Sequence, residues 1–545
     1  MQKSFDGIAL KQLVEAGLTW LRTNHQVVNN LNVFPVPDGD TGTNMLLTMQ
    51  SAYSEIANLG HHNVGQMAAA VAQGALMGAR GNSGVILSQL WRGFSRALQG
   101  KEVIDGPALV AAFAEGRDTA YKGVVRPIEG TILTVAKDSA TAAAAALKET
   151  DDPTEILRRV VSAADVSVKH TPELLPILKQ AGVVDSGGMG LFFILEGMLR
   201  SLDGESLESP LMSVVPISSM NFDNAMQVVE EGQDFEVVVD FRPSGTFDLR
   251  QFYDALEEMG TSIQVGEGEG MYRMHIHVPL EKRYVPIDYI MGLGTITKVA
   301  MENLTAQMDE IENRTGETRL ELTNIEPGQI AVVVVSPGVG LSRIFASLGV
   351  ASIVSGGQTM NPSTKDILDS FENLPTDKVI ILPNNKNIVL AAQQAKEVTT
   401  KSVHVVPSKT IPQGLAAMLQ LDPGGDLEKV VEKMNKALES VVTGEITVAT
   451  RSVEIDGVTV KDGQVIALLN GKLAVSSDSV EHACLEFMEK AQAAEHELIT
   501  LFYGEGMPHA EANRIADLIR QHYPQQEVEV QEGGQPHYQF IISIE

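Results

Sequence analysis

Through the first two hundred residues, apolar side chains recur every three to four positions. IALKQLVEAGLTWL, NMLLTMQSAYSEIANL, VGQMAAAVAQGALMGA, ALVAAFAEGRDTAY, ILTVAKDSATAAAAAL and EILRRVVSAADVSV each lay one apolar stripe along a helix. Gly and Pro punctuate these segments at Gly81, Gly84, Pro127, Gly130, Gly187 and Gly188. The abundance of alanine predicts helices packed closely around a common centre. Residues 1–202 therefore read as an all-α domain. The stretch 203–219 loses the period and gathers Ser and Pro, as a linker does.

Residues 220–325 carry a different pattern. DFEVVVDF, SIQVGEG and MYRMHIHV read as strands, and DLRQFYDALEEMG as a helix closed by glycine. A long amphipathic helix is predicted from about 286 to 313. Together these give a small α+β unit. In 326–545 apolar runs alternate with helical periods. IAVVVV, ASIVSGG, KVIILPN and SVHVVPS are strand-like, and LSRIFASLG and NIVLAAQQAKE are helix-like. That alternation predicts an α/β fold with a mostly parallel sheet. The part from 445 onward adds several short strands and two helices, and the pattern leaves open whether it is separate.

At 545 residues the chain exceeds one core. Its formal net charge of −29 argues against nucleic acid and anionic membrane as partners. The sequence has no run of about 18 apolar residues, and its first residues lack a charged n-region followed by an apolar core. No membrane insertion and a cytoplasmic location are expected. Cys484 is the single cysteine, which excludes an intrachain disulfide and a cysteine-based zinc cluster.

The chemistry concentrates at residues 32–44, NVFPVPDGDTGTN. Asp38 and Asp40 flank Gly39, and Thr41, Gly42, Thr43 and Asn44 open an apolar helical stretch. Two carboxylates on a glycine-bent loop can aim hard oxygens at one divalent cation. The helix start behind them offers unpaired N–H groups suited to phosphate oxygens. Loop and helix suggest a Mg–nucleotide site. A plain surface turn also suits Asp-Gly-Asp. A calcium EF-hand does not fit, since Thr43 stands where Gly is required and Met49 where the bidentate Glu belongs.

No GxxxxGK[ST] occurs, and the protein-kinase motifs are absent. SPGVGLSR has only a bare GxG, with Arg343 in the place of the third glycine. Three further polar helix openings are present: GARGNSGVILSQ with Gly81, Asn82 and Ser83; VVRPIEGTILTVAKD with Thr131; and GVVDSGGMGLFFILEGM with Asp185. Each alone also suits tight helix packing. In MHIHV, period two puts His275 and His277 on one face of a strand, a geometry open to a metal or to two plain strand histidines.

The run NVFPVPDGDTGTNM resembles the metal-binding loop of the dihydroxyacetone kinase L-subunit family. It is closer still to that domain in bacterial fatty acid kinase catalytic subunits. The other three helix openings resemble the same family in sequence and order. SGGQTMNPST, ILPNNKNI and VVPSKTIPQGLAAM resemble its C-terminal domain, which loosely resembles the DegV fatty-acid-binding fold. The resemblance covers nearly the whole chain.

It implies a multidomain protein. Residues 1–202 would form an all-α helical barrel kinase domain and 203–219 a linker. Residues 220–325 would form a small α+β middle domain that dimerises, and 326–545 an α/β DegV-like domain that docks a carrier. Asp38 and Asp40 would hold Mg2+ and, with Thr43, form the catalytic set. Thr41 and Asn44 would contact ATP or its metal. Gly81, Asn82 and Ser83 would form a phosphate-facing turn, Thr131 would add a hydroxyl, and Asp185 would lie near the nucleotide. Glycerone-kinase members carry a further upstream acid where this chain has Asn32. Family members pair the HxH with a cysteine on an earlier strand to hold Zn2+; here Asp234 stands in its place beside His275 and His277. The implied reaction transfers the ATP γ-phosphoryl group to the carboxylate of a fatty acid. A separate DegV-type fatty-acid-binding carrier would present that acid, and the acyl phosphate would serve phospholipid synthesis. A kinase of a small hydroxy-ketone and a non-catalytic nucleotide sensor are the alternatives.

Overall fold

A computed structural model describes residues 4–32, 39–124, 126–207, 215–216, 235–245, 247–268, 271–303, 320, 322–358, 360–449, 453–455 and 458–545. The chain forms two compact units, Met1–Ser209 with Glu321–Glu545, and Pro210–Leu320.

Among the described residues, the first unit begins with nine helices: α1 (Gly7–Leu31), α2 (Thr41–Ile56), α3 (Val64–Met77), α4 (Gly81–Ala97), α5 (Gly106–Lys122), α6 (Ile132–Ala146), α7 (Pro153–Leu174), the short α8 (Pro176–Ala181) and α9 (Ser186–Asp203). Their starts are written in the sequence. Asp6, Asn63, Asp105, Thr131, Asp152 and Asp185 each cap a helix by accepting a backbone N–H. Each long helix packs on the next from α1 to α7, and α9 packs on both α7 and α1. The result is a closed ring around a core that includes Trp20, Leu21, Met45, Met49, Met67, Val71 and Phe193. Alanines such as Ala68, Ala75, Ala140 and Ala143 are buried where the helices approach closely. In an up-and-down ring every second helix starts at the same end, so α2, α4 and α6 open together.

The second unit holds β1 (Val215–Pro216), β2 (Phe235–Pro243), α10 (Leu249–Glu257), β3 (Thr261–Gly268), β4 (Met271–Val278), α11 (Val285–Leu293) and β5 (Gly294–Asn303). They form one sheet in the order β1-β3-β4-β2-β5. Val237, Val239 and Phe241 on β2 and Met274, Ile276 and Val278 on β4 share one face. Phe252, Leu256 and Ile290 of the helices join them in one core. The amphipathic helix expected over about 286–313 is a helix only to Leu293. Residues 294–303, rich in Thr, Ile and Val, form a strand paired antiparallel with β2, and 304–313 lie outside the described residues. Strand pairing here overrides a local period that suits either structure.

The α/β part of the first unit has β6 (Ala331–Ser336), α12 (Val339–Ser347), β7 (Ser352–Ser355), α13 (Thr364–Glu372), β8 (Lys378–Leu382), α14 (Val389–Val398), β9 (Ser402–Val405), α15 (Ile411–Met418) and α16 (Leu427–Ala437). Their strands make a parallel sheet in the order β7-β6-β8-β9. Then follow β10 (Val442–Val448), β11 (Val453–Ile455), β12 (Val458–Val460), β13 (Val465–Leu469), β14 (Lys472–Ser477), α17 (Val480–Lys490), β15 (Leu498–Tyr503), α18 (His509–His522), β16 (Glu527–Glu532) and β17 (Tyr538–Ile544). Six of them form a mixed sheet in the order β14-β13-β10-β17-β15-β16. Phe502, Tyr538 and Ile541 of this sheet share a core with Val332 and Val334 of the parallel one. The part from 445 onward is therefore packed into the same body. The other face of the parallel sheet, with α13 and α14, takes in Ala79 and Val85 from the helical ring.

Candidate active site

The starts of α2, α4, α6 and α9 are tied to one another by hydrogen bonds. The Ser186 hydroxyl donates to Thr41 Oγ1 at 3.3 Å, and the Ser83 hydroxyl donates to the Thr41 carbonyl at 3.5 Å. Asp185 caps α9 by accepting from the Gly188 N–H at 2.7 Å, and it also accepts from the Ile132 N–H at the start of α6. Burial pushes its carboxyl up to about 6, against the pull of those two N–H groups. Thr131 caps α6 and commits its hydroxyl proton to the Ile128 carbonyl at 2.8 Å. Four N-terminal ends thus share one region, each with N–H groups at its first turn and a positive dipole end.

Asp40 stands at the head of α2, 6 % exposed. Its backbone carbonyl accepts the Asn44 N–H, but its carboxylate makes no cap bond to the helix. Gly39 before it has a φ of 57°, the left-handed region that glycine occupies without strain. Asp38 lies outside the described residues. Thr43 is held by Asn29 of α1: its N–H donates to Asn29 Oδ1 at 3.1 Å, and its Oγ1 accepts from Asn29 Nδ2 at 3.0 Å. Gly81 has a φ of 56°, and a Cβ there would strike the Asn44 amide. Asn44 is itself 5 % exposed, so the α2 and α4 starts touch at this pair.

Other residues come from the C-terminal α/β body. Asn361 donates its side-chain N–H to the Asp40 carboxylate. Asn82 donates to Asn387 Oδ1 at 3.1 Å, and Arg80 donates to the Asn361 carbonyl at 3.1 Å. Asn29, Ser186, Arg80 and Asn361 were not singled out by sequence. Asn361 and Asn387 belong to the SGGQTMNPST and ILPNNKNI segments, but their contacts join positions about three hundred residues apart.

A second cluster lies in the middle unit. On the β2–β4 ladder Glu236 faces His277 and Val238 faces His275, so Glu236 and both imidazoles share a face. One ligand atom from each of the three lies within 4.8 Å of the others, and all three residues are buried. His275 Nε2 is 3.5 Å from Glu236 Oε1. Burial holds His275 down at about 3, helped by the neighbouring His277, and holds His277 at about 4. Both rings are therefore neutral near pH 7, the form that ligates metal. The ring nitrogens of His277 find no hydrogen-bond partner among the described residues. A carboxylate with two neutral imidazoles fits Zn2+. Asp234, expected as the third ligand, lies outside the described residues, and among the described residues the acid beside the histidines is Glu236.

A cavity of about 40 Å³ opens at the carboxyl ends of the parallel strands, lined by Asn384, Asn385, Thr410, Glu445 and Gln535 among others. Burial raises the Glu445 carboxyl to about 7, while Lys386 pulls it down. Among the described residues no helix is long and apolar enough to cross a membrane.

Comparison with known proteins agrees along the chain. A family model described as the DAK2 domain matches residues 35–200. Models of the middle and C-terminal domains of FakA-like fatty acid kinase proteins match 232–311 and 331–545. An uncharacterized protein of Staphylococcus epidermidis is 38 % identical over 554 residues, covering 100 % of both chains. Protein YloV of Bacillus subtilis is likewise 38 % identical over 554 residues with full coverage of both. Among solved structures, the Streptococcus pneumoniae fatty acid kinase B3 protein loaded with linoleic acid is 15 % identical. That match spans 34 % of this chain and 76 % of that one, with a TM-score of 0.26. The dihydroxyacetone kinase of C. freundii in complex with AMP-PNP and Mg2+ is 21 % identical. It matches 37 % of this chain and 35 % of its own, with a TM-score of 0.29. With three family models in chain order and full-length relatives at 38 % identity, the chain belongs to the FakA-like fatty acid kinase family.

Proposed function

We propose that the chain transfers the γ-phosphoryl group of ATP to the carboxylate of a fatty acid presented by a separate DegV-type carrier, giving an acyl phosphate for phospholipid synthesis. The observation that carries this reading is the meeting of four helix starts beside the buried Asp40 carboxylate at the head of α2. Asp40, with Asp38, would hold Mg2+, which neutralises phosphate charge when bound. The N–H groups at the starts of α2 and α4, with Thr41, Thr43, Asn44, Gly81, Asn82 and Ser83, would orient the phosphates. Thr131 and Asp185 would lie at the rim, nearer α6 and α9. A carboxylate oxygen forms the new bond to the γ-phosphorus, and the bond to the bridging oxygen breaks, leaving ADP with that electron pair. A fatty carboxylate is already ionised near pH 7, so the transfer asks for positioning and charge neutralisation and no base.

The cavity of about 40 Å³ at the carboxyl ends of the parallel strands is far below the roughly 300 Å³ or more of a pocket that encloses a drug-sized ligand, so the acid is not expected to lie there. The middle unit would hold Zn2+ on Glu236, His275 and His277 and form the homodimer. The test is ATP turnover by the purified chain with a lipid-loaded carrier. ADP and acyl phosphate formed only with carrier and fatty acid support the reading. Turnover with dihydroxyacetone in their place overturns it, and nucleotide binding without turnover on either points to a sensor.

A further inference from the structure

Asp40 and Asn361 belong to different domains, 321 positions apart, and meet in a buried contact. Asn361 is 2 % exposed. Its place is set from several sides. Arg80 donates to its backbone carbonyl and pairs with Asp366 at 3.4 Å, and the Thr364 N–H donates to the Ala79 carbonyl at 3.1 Å. Further along, Asn82 bonds Asn387, and Gln394 donates to the Ser88 hydroxyl at 2.9 Å. The Asn361 side chain thus sits on a braced loop against the α4 start, near Gly81.

The amide is only half used. Its Nδ2 end donates to Asp40, while Oδ1 is buried with no hydrogen-bond partner among the described residues. A buried acceptor left unmade is costly, and such a group asks for a ligand. The two ends of an amide lie about 2.3 Å apart, so this oxygen is beside the Asp40 carboxylate. A half-turn about the last side-chain bond exchanges the ends and presents the carbonyl to whatever the carboxylate holds. Side-chain carbonyls are ordinary hard ligands for divalent cations.

We propose that Asn361 is a cation ligand of the kinase site, supplied by the C-terminal domain through its side-chain carbonyl. This rests on the reading of Asp40 as a metal-nucleotide carboxylate. Nδ2 donates to Asp40 in the structure, and Oδ1 would face a cation held by that carboxylate.

The test is ADP-dependent Mn2+ binding to the full chain, read from the free-ion electron paramagnetic resonance signal, with thermal unfolding followed in parallel. Asn361→Ala is expected to weaken Mn2+ about tenfold, within the range that supporting groups of metal sites give. Asn361→Asp, which keeps a ligand oxygen but removes the donor, is expected to bind Mn2+ as tightly as wild type or more so. Gln394→Ala, which loosens the domain contact away from the site, is expected to leave binding unchanged. Wild-type affinity in Asn361→Ala overturns the proposal. So does an Asn361→Asp loss as large as that of alanine, which would make Asn361 a donor only. An equal loss in Gln394→Ala overturns it as well, by assigning the effect to docking. Should Asn361→Ala unfold early, the isosteric Asn361→Asp decides alone. A wild-type chain without ADP-dependent Mn2+ binding brings down the reading of Asp40 itself, whereas binding that ignores Asn361 brings down only this inference.

Discussion

Around Asp40 the carboxylate stands among helix starts whose N–H groups and dipoles draw anions, whereas Glu236, His275 and His277 stand on paired strands, whose dipoles largely cancel. The first setting favours a cation only together with phosphate. The second favours a cation for its own sake, with two neutral imidazoles and one carboxylate closed in a buried face. The first draws its groups from helix ends and from a second domain, and the second from one ladder of one small unit. On the proposed function, similar donor counts would serve opposite ends, turnover in one place and cohesion in the other.

The sharpest way to break that contrast is a pair of isosteric changes. Asp40→Asn is expected to lower phosphoryl transfer by about 10²–10³-fold with an unchanged melting temperature. Glu236→Gln is expected to change turnover little. Equal losses in both, measured as ADP release with carrier and fatty acid, would erase the distinction. Next in size, His275→Ala with His277→Ala should remove zinc from the purified chain by elemental analysis. It should also destabilise the middle unit by about 3 kcal/mol or more in thermal melts. In metal-stripped protein the two imidazoles titrate at about 3 and 4 against 6.5 in the unfolded chain. The unfolded state therefore binds more protons below about pH 6.5, and the unit should lose stability as pH falls from there.

Gly81→Ala is expected to cost about 1–3 kcal/mol and weaken nucleotide binding, because alanine is strained at a φ of 56° and its methyl meets Asn44. The smallest effect belongs to Asp185. Its carboxyl is raised to about 6 in the fold, so its contribution is fully present below about 3.8 and lost as pH rises through 6. An asparagine in its place would still cap the helix and would carry no charge, so Asp185→Asn should gain about 1–2 kcal/mol on wild type between pH 4 and 7. A pH-independent difference between the two would refute the raised carboxyl.

The helical ring was legible because its signals are local. Apolar period, caps and glycines lie within a few residues of one another, and the four polar helix openings were readable the same way. Residues 294–303 misled because GTITKVAMEN suits a helix period nearly as well as a strand, and only the β2 edge decides. The acid beside the histidines was a matter of register. Glu236 and Asp240 share one parity along the sequence, and the pairing of Glu236 with His277 places it, among the described residues, beside the histidines, while Asp234 lies outside them. Asn29 carries no signature, and Asn361 only that of its segment, which says nothing of its contact with Asp40. Each matters through a contact with a distant segment, and no short window along the chain contains both partners.

The bond between Asn361 and Asp40 has a thermodynamic corollary. A ligand that binds more tightly when two domains are docked must tighten their docking by the same factor, since the cycle closes. On the proposed reading, a partner whose grip depends on that docking would sense whether the kinase pocket is loaded, and loading would in turn adjust that grip. A tenfold coupling, about 1.4 kcal/mol, would let one asparagine carry messages both ways between catalysis and partner.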